Sequence, residues 1–189
     1  PTVRKNLVVV GNGMVGHKFC EALVAKGLNH SYCISVFCEE PRPAYNRVNL
    51  TQFFSGRGVE ELSLGSLDWY RANGIEIHIG DPIVVLDRQQ GLAVSRKGVH
   101  HPYHQLVLAT GSAPFVPPLE GIDKGGIFTY RTIEDLEAIA AWAKHSSRAA
   151  VIGGGLLGLE AAKALVDLGL ETAVVERNGL SFAILADVS

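Results

Sequence analysis

Apolar and polar positions fall into blocks along this chain, and the blocks predict strands and helices in regular succession. Leu7 to Val10 is an unbroken apolar run rich in β-branched residues, the pattern of a strand covered on both faces. Gly11, Gly13 and Gly16 follow it. Phe19, Leu23 and Val24 then recur on one helical face, with Gly27 as the expected C-cap. The stretch SYCISVFCEE predicts a second strand ending at Glu39 and Glu40. A short helix is expected over Leu67 to Ala72, and strands over Ile75 to Ile79 and Ile83 to Asp87. A hairpin turning at Gln90-Gly91 and Lys97-Gly98 leads to a buried strand, Leu106 to Ala109. Thr132, with Asp135 three residues on, opens a capped helix. The first pattern then returns. Ala150 to Ile152 is a strand, Gly153, Gly155 and Gly158 a turn, Leu159 to Leu168 a helix and Gly169 its cap. Glu171 to Val175 is the next strand, ending at Glu176.

Composition narrows the function classes. The chain has 189 residues, is 47% hydrophobic and holds 21 glycines, enough for a buried core. Its net charge of −2 comes from interspersed charges and gives no surface for nucleic acid or for an anionic membrane. No apolar run is long enough to span a bilayer. The opening PTVRKNLVVVGNG reads as a buried strand entering a turn, not as a secretory signal. Cys20, Cys33 and Cys38 are too few and too odd in number for a disulfide framework, which points to the reducing cytoplasm. All three are expected to be buried as small apolar side chains, with Cys33 and Cys38 on opposite faces of their strand. His100, His101 and His104 lack helical ligand spacing. They are expected in solvent, and no metal site is expected.

The chemistry lies in the two glycine turns. In each G-x-G-x-x-G, the first glycine allows a tight turn and the second lets the backbone approach a pyrophosphate. The third lets the helix pack closely, with its positive end toward the phosphates. An acid at the end of the following strand, Glu39 or Glu176, can accept from ribose hydroxyls. Two such units imply two dinucleotides and electron transfer between them. The alternative is a duplication in which one site is dead. The fold class that follows is α/β: a Rossmann-like dinucleotide-binding domain followed by the start of a second one. The expected division is 1–115 for the first domain, 116–147 for a linker with its helix and 148–189 for the second; the resemblance that follows implies FAD for the first and NAD(P) for the second.

The two units, LVLATGSAP between them and YRTIEDLEAI after it resemble the two-dinucleotide flavoproteins of the disulfide reductase type. EEPRPAYNRVNLT is similar to the flavin domain of the large subunit of NAD(P)H-dependent assimilatory nitrite reductases and to rubredoxin and ferredoxin reductases. The resemblance implies that FAD takes Gly11, Gly13, Gly16 and Glu39, with Ile83 at the adenine and Thr110 and Gly111 passing close. It implies Arg47 beside the flavin ring and pyrophosphate, and Arg131 reaching FAD. It gives NAD(P)H to Gly153, Gly155, Gly158 and Glu176, and places Glu160 where nicotinamide meets flavin. Arg47 and Glu160 are thus the catalytic candidates; each could also be a plain surface charge. One departure matters. No cysteine pair, nor a single redox cysteine, follows the acid of the first unit. Electrons would leave FAD directly, for an iron-sulfur or sirohaem centre outside this chain or for a small redox protein. The other expectations are an NADH-dependent rubredoxin or ferredoxin reductase, or a non-catalytic nucleotide-binding module.

In this family the FAD domain is completed by a segment that returns after the NAD domain, and the sequence stops short of it. The chain is therefore expected to be a piece of a longer protein. Alone it is expected to be a poor catalyst, to hold FAD weakly or not at all, and to associate with itself through Ala173 to Val175 and the apolar LSFAIL.

Overall fold

The computed structural model describes residues 4–55 and 58–177. The apolar stretch LSFAIL lies outside the described residues. The chain folds as two compact units. The first comprises residues 1–46 and 62–113; the second comprises 47–61 and 114–189. The second unit therefore takes a segment, Arg47–Glu61, from within the stretch expected to belong wholly to the FAD domain. No helix among the described residues is long and apolar enough to cross a membrane.

In the first unit, β1 (Lys5–Val10) is followed by α1 (Met14–Ala25) and β2 (Tyr32–Phe37). The short helix α2 (Val59–Leu62), whose first three residues belong to the second unit, precedes α3 (Leu67–Ala72) and β3 (Ile75–His78). Next come β4 (Ile83–Asp87), β5 (Leu92–Ser95), β6 (His100–Pro102) and β7 (Gln105–Leu108). The order β3-β2-β1-β7 forms a parallel sheet, and β4-β5-β6 an antiparallel one. β1 is central, and its alternation divides the core. Leu7 and Val9 join Cys20, Leu23, Tyr70 and Ile75 on the helical side. Val8 and Val10 join Phe37 and Ala93 on the side of the antiparallel strands. Burying each such side chain contributes roughly 1.5–3 kcal/mol, which is why an apolar run without alternation forms this strand. Gly27, at φ 67°, closes α1 as expected.

In the second unit, a 3-10 helix (Arg47–Ser55) joins α4 (Ile133–Ala143), β8 (Arg148–Ile152), α5 (Leu156–Asp167) and β9 (Glu171–Val175). β8 and β9 pair in parallel. The capping box at Thr132 and Asp135 is complete. Ala173, Val174 and Val175 are all exposed.

Several sequence expectations shift. β2 stops at Phe37, because the next residues turn: Asp81 N donates to Cys38 O at 3.0 Å and Gly80 N to Glu40 O at 2.9 Å. Glu39 and Glu40 thus sit past the strand, and β3 ends at His78. α5 begins three residues early, at Leu156. β7 pairs with β1 at an outer position of the sheet, and its residues are exposed or half-buried, not buried. Cys33 is exposed while Cys20 and Cys38 are buried. Exposure falls along the Cys33 face of β2, through half-buried Ser35 to buried Phe37, so cover begins only beyond Cys33. Of the three histidines, His100 and His104 are exposed, but His101 is half-buried, its ring 4.5 Å from that of Phe37.

Candidate functional site

The first glycine turn sits where three strands end. Gly11 N donates to Phe37 O at 2.8 Å, and Ala109 N donates to Val10 O at 2.7 Å. Gly11 has φ 103°, and a Cβ there would strike the Ala109 carbonyl and come within 2.9 Å of Thr110 N. A Cβ on Gly16 would strike the Gly11 carbonyl oxygen. At Gly13 the situation reverses: a Cβ would have nothing within 4 Å. The turn is thus closed on the protein side and open at its middle glycine. α1 starts there with no side-chain cap and no acidic residue in its first turn. α3 and α4, by contrast, are capped by Ser66 and Thr132. An uncapped helix start beside an open glycine presents backbone N–H groups and the positive end of the helix to an anion. These residues fit the phosphates of a dinucleotide.

The second turn repeats this geometry except at its first glycine, where a Cβ would meet nothing within 4 Å. Gly153 has φ 112°, and a Cβ on Gly158 would strike the Gly153 carbonyl oxygen. A Cβ on Gly155 meets nothing within 4 Å, and α5 also starts uncapped. Gly153 N donates to Val175 O at 2.8 Å, which ties the turn to the end of β9. Glu176 follows that strand, and its carboxylate accepts from Gly154 N at 2.7 Å. The same turn borders a cavity of about 740 Å³ with apolar walls that include Phe115, Trp142, Ile152 and Leu157.

The two strand-end acids are held differently. Glu39 is exposed and ion-pairs with Arg96 at 2.9 Å. Glu40 accepts from the Tyr45 hydroxyl at 2.6 Å. Ile83 is half-buried and packs on the cluster that holds Phe37 and Ala93. Thr110 and Gly111 are exposed and follow β7 directly. In the second unit, Arg47 Nη1 donates to the Arg131 carbonyl at 3.3 Å, which brings those two candidates together. Glu160, on α5, accepts from the Thr51 hydroxyl at 3.3 Å, and Thr51 accepts from the Tyr130 hydroxyl at 3.3 Å. Arg96, Thr51 and Tyr130 were not singled out in the sequence. Their types carry no periodic signal, and they reach their partners only through the fold. No group of three or more potential metal ligands occurs among the described residues.

Burial sets the ionisation of several groups. It pushes the Cys20 thiol up to about 12 and the Cys38 thiol up to about 11, so both stay protonated. Burial raises Tyr130, and the charge of Glu160 adds to the shift. Burial lowers His17 and outweighs the pull of Glu21; it also lowers His101, with His78 adding to that shift. Both histidines are thus neutral in the fold and take up protons more readily when unfolded. Their contribution to stability is complete above the ordinary value of 6.5 and declines as pH falls below it toward the lowered folded values. The urea midpoint is expected to drop between pH 7 and 5.5, and to drop less in His101→Gln. An equal drop in both proteins would remove His101 from this account.

A family model described as pyridine nucleotide-disulphide oxidoreductase matches residues 3–182. The chain belongs to this family. It is 49% identical over 170 residues to the nitrite reductase (NADH) large subunit of Escherichia coli K12, covering 90% of this chain and 20% of that protein. It is 51% identical over 170 residues to the nitrite reductase [NAD(P)H] large subunit of Klebsiella oxytoca, covering 90% of this chain and 18% of that one. Among solved structures it is similar to a NAD-dependent persulfide reductase from A. fulgidus, with a TM-score of 0.82 and 28% identity over 89% of this chain and 33% of that one. The chain spans about a fifth of the length of these nitrite reductase relatives. Like the family, it has the α/β fold with a parallel sheet that the glycine turns predicted.

Proposed function

We propose that this chain supplies the FAD- and NADH-binding portion of a nitrite reductase large subunit. The observation that carries the reading is the repeated turn. Twice, an uncapped helix starts on a glycine whose Cβ would meet nothing, with a third glycine packed against the carbonyl of the first and an acid after the next strand. Family membership implies FAD and NAD(P)H as the cofactors, and the relatives' names supply nitrite as the substrate. In this reading Gly11, Gly13, Gly16, Glu39, Ile83, Thr110 and Gly111 of the first unit bind FAD. Gly153, Gly155, Gly158 and Glu176 of the second bind NADH.

FAD, held by the first turn, would supply the redox chemistry, hydride acceptance from NADH and single-electron release to a further centre. The chain's own residues orient and exclude. The uncapped starts of α1 and α5 hold pyrophosphates, and Glu176 accepts from a ribose hydroxyl. Its bond to Gly154 N keeps that carboxylate fixed before the nucleotide arrives. Arg47, with Arg131, supplies positive charge toward the flavin, and Glu160 lines the nicotinamide end, held by Thr51. Cys20 and Cys38 stay protonated, which supports electron exit without a thiol relay. The acceptor in this reading is an iron-sulfur or sirohaem centre elsewhere in the protein, or a small redox protein. Three free thiols suit the reducing cytoplasm. Exposed Val174 and Val175 favour self-association of the chain by itself.

The test is anaerobic reduction of flavin in the protein that carries this chain, followed by absorbance. NADH should bleach the flavin with a specificity constant well above that of NADPH, because the Glu176 carboxylate repels a 2′-phosphate. Glu176→Gln should narrow the gap about tenfold or more. Equal or better use of NADPH by the parent protein would overturn the Glu176 assignment. A flavin that neither nucleotide reduces would overturn the function.

A further inference from the structure

The acid of the first unit is held by a residue that the glycine pattern does not contain. Glu176 is fixed by its own turn, through Gly154 N at 2.7 Å. Glu39 is fixed from a distant segment instead: Arg96 Nη2 donates to its Oε1 at 2.9 Å, across 57 residues of chain. Both side chains are more than half exposed. An exposed ion pair contributes little to the stability of a fold. This pair, however, joins two segments that the backbone has already tied together.

Three loops of the first unit meet here. Beside Glu39, Cys38 O accepts from Asp81 N at 3.0 Å and Glu40 O accepts from Gly80 N at 2.9 Å. Arg96 N donates to Pro82 O at 2.9 Å, next to Ile83, and Ile83 pairs with Ser95. Asp81, 4% exposed, is the knot: its Oδ1 accepts from Lys97 N at 3.1 Å. The backbone is thus fixed on both sides of Glu39 and at Arg96 itself. An arginine and an acid anchored in this way lose less freedom on pairing than two side chains on mobile loops. The bond engages Oε1 and leaves Oε2 to accept from a ribose hydroxyl.

We infer that Arg96 is a positioning residue of the first site: it aims the Glu39 carboxylate at the ribose hydroxyls of the adenine dinucleotide and so sets how strongly that site selects a ribose. This rests on the reading of Glu39 as the ribose-binding acid. A carboxylate that turns freely must be ordered as it binds, and the ordering weakens the complex. A carboxylate already held by a guanidinium avoids that cost, and the guanidinium keeps its charge at any physiological pH. The arginine has a second effect, since its charge attracts phosphates whatever the sugar. The ligand separates the two effects. Aiming acts only on ligands with ribose hydroxyls, whereas charge acts on every nucleotide.

The experiment is a titration of the isotope-labelled chain with ADP, and separately with 2′,3′-dideoxy-ADP, followed by NMR, which reads weak binding as well as tight. The readout is the ratio of the two dissociation constants. In the parent chain ADP should bind about tenfold tighter or more, the worth of hydrogen bonds to a carboxylate. Arg96→Met should lower that preference about three- to tenfold, and Arg96→Lys, which can still donate to Oε1, should restore part of it. Glu39→Ala should abolish the preference. With Glu39→Ala in place, Arg96→Met should change the ratio no further, whereas a direct bond from Arg96 to the sugar would still register. Both side chains are exposed, and dispersed spectra confirm that each variant folds. An unchanged ratio in Arg96→Met would overturn this inference and leave Glu39 as the ribose acid, even if both ligands bound more weakly. So would a further fall in the double variant. No preference for ADP in the parent chain would overturn the Glu39 reading as well, and no ADP binding at all would overturn the nucleotide reading of the first turn.

Discussion

Gly13→Val is expected to empty the first unit of FAD and leave it folded. A Cβ at this position meets nothing within 4 Å, and the backbone, at φ −83° and ψ −163°, suits any residue. The space is free of protein because it faces the proposed pyrophosphate. Isopropyl carbons there would occupy the place of phosphate oxygens and screen the first N–H groups of α1. Retained flavin should fall at least a hundredfold in the protein that carries this chain, read from its visible absorbance. The unfolding free energy should change by less than about 1 kcal/mol, the cost of a poor N-cap residue. A variant that stays fully yellow would show that Gly13 does not line the site.

Gly16→Ala should do the opposite, although it adds a smaller group. Its Cβ would strike the Gly11 carbonyl oxygen and lie 3.1 Å from the carbonyl carbon. Neither side can yield cheaply. Gly11 is pinned by its bond to Phe37 O and pressed against Ala109, while α1 is fixed by Cys20 and Leu23 in the core. Overpacking of this kind costs about 1–3 kcal/mol, and more where backbone meets backbone. The first unit should lose stability by at least that amount in urea, measured by far-ultraviolet dichroism without added cofactor. An unchanged midpoint would mean that the helix can slide away from β1, and that the third glycine is not there for close approach. Together the two variants separate the roles that spacing alone assigns to the glycines.

Most of the framework was legible because it rests on local rules. The run Leu7 to Val10, the glycine spacings, the left-handed Gly27 and the box at Thr132 each carry their signal within a few residues. Boundaries shifted where tertiary bonds decided them. β2 ended at Phe37 because Cys38 and Glu40 bond to the turn at Gly80 and Asp81, which no strand propensity reveals. Cys33 is exposed because burial on its face depends on what lies over the strand, not on residue type. The glycines and acids of the candidate site could be numbered from the pattern. Their partners could not. Arg96 on Glu39, Thr51 on Glu160 and Tyr70 on Asn12 are meetings between distant segments.

The segment Arg47–Glu61 has a consequence for how the chain is made. It belongs to the second unit, but it leaves the ribosome well before α4, β8 and α5 exist. Translation at about 5–20 residues per second leaves an interval of seconds in which Leu50, Phe53 and Phe54 have none of those partners. The first unit faces a matching delay, since β7 comes last and its sheet cannot close until residue 108 is out. The first unit can therefore close only after the chain has passed through 47–61, and the second only after it has passed through 62–113. A nascent chain stalled between residues 61 and 108 would expose unfinished portions of both, and would be a natural client for chaperones.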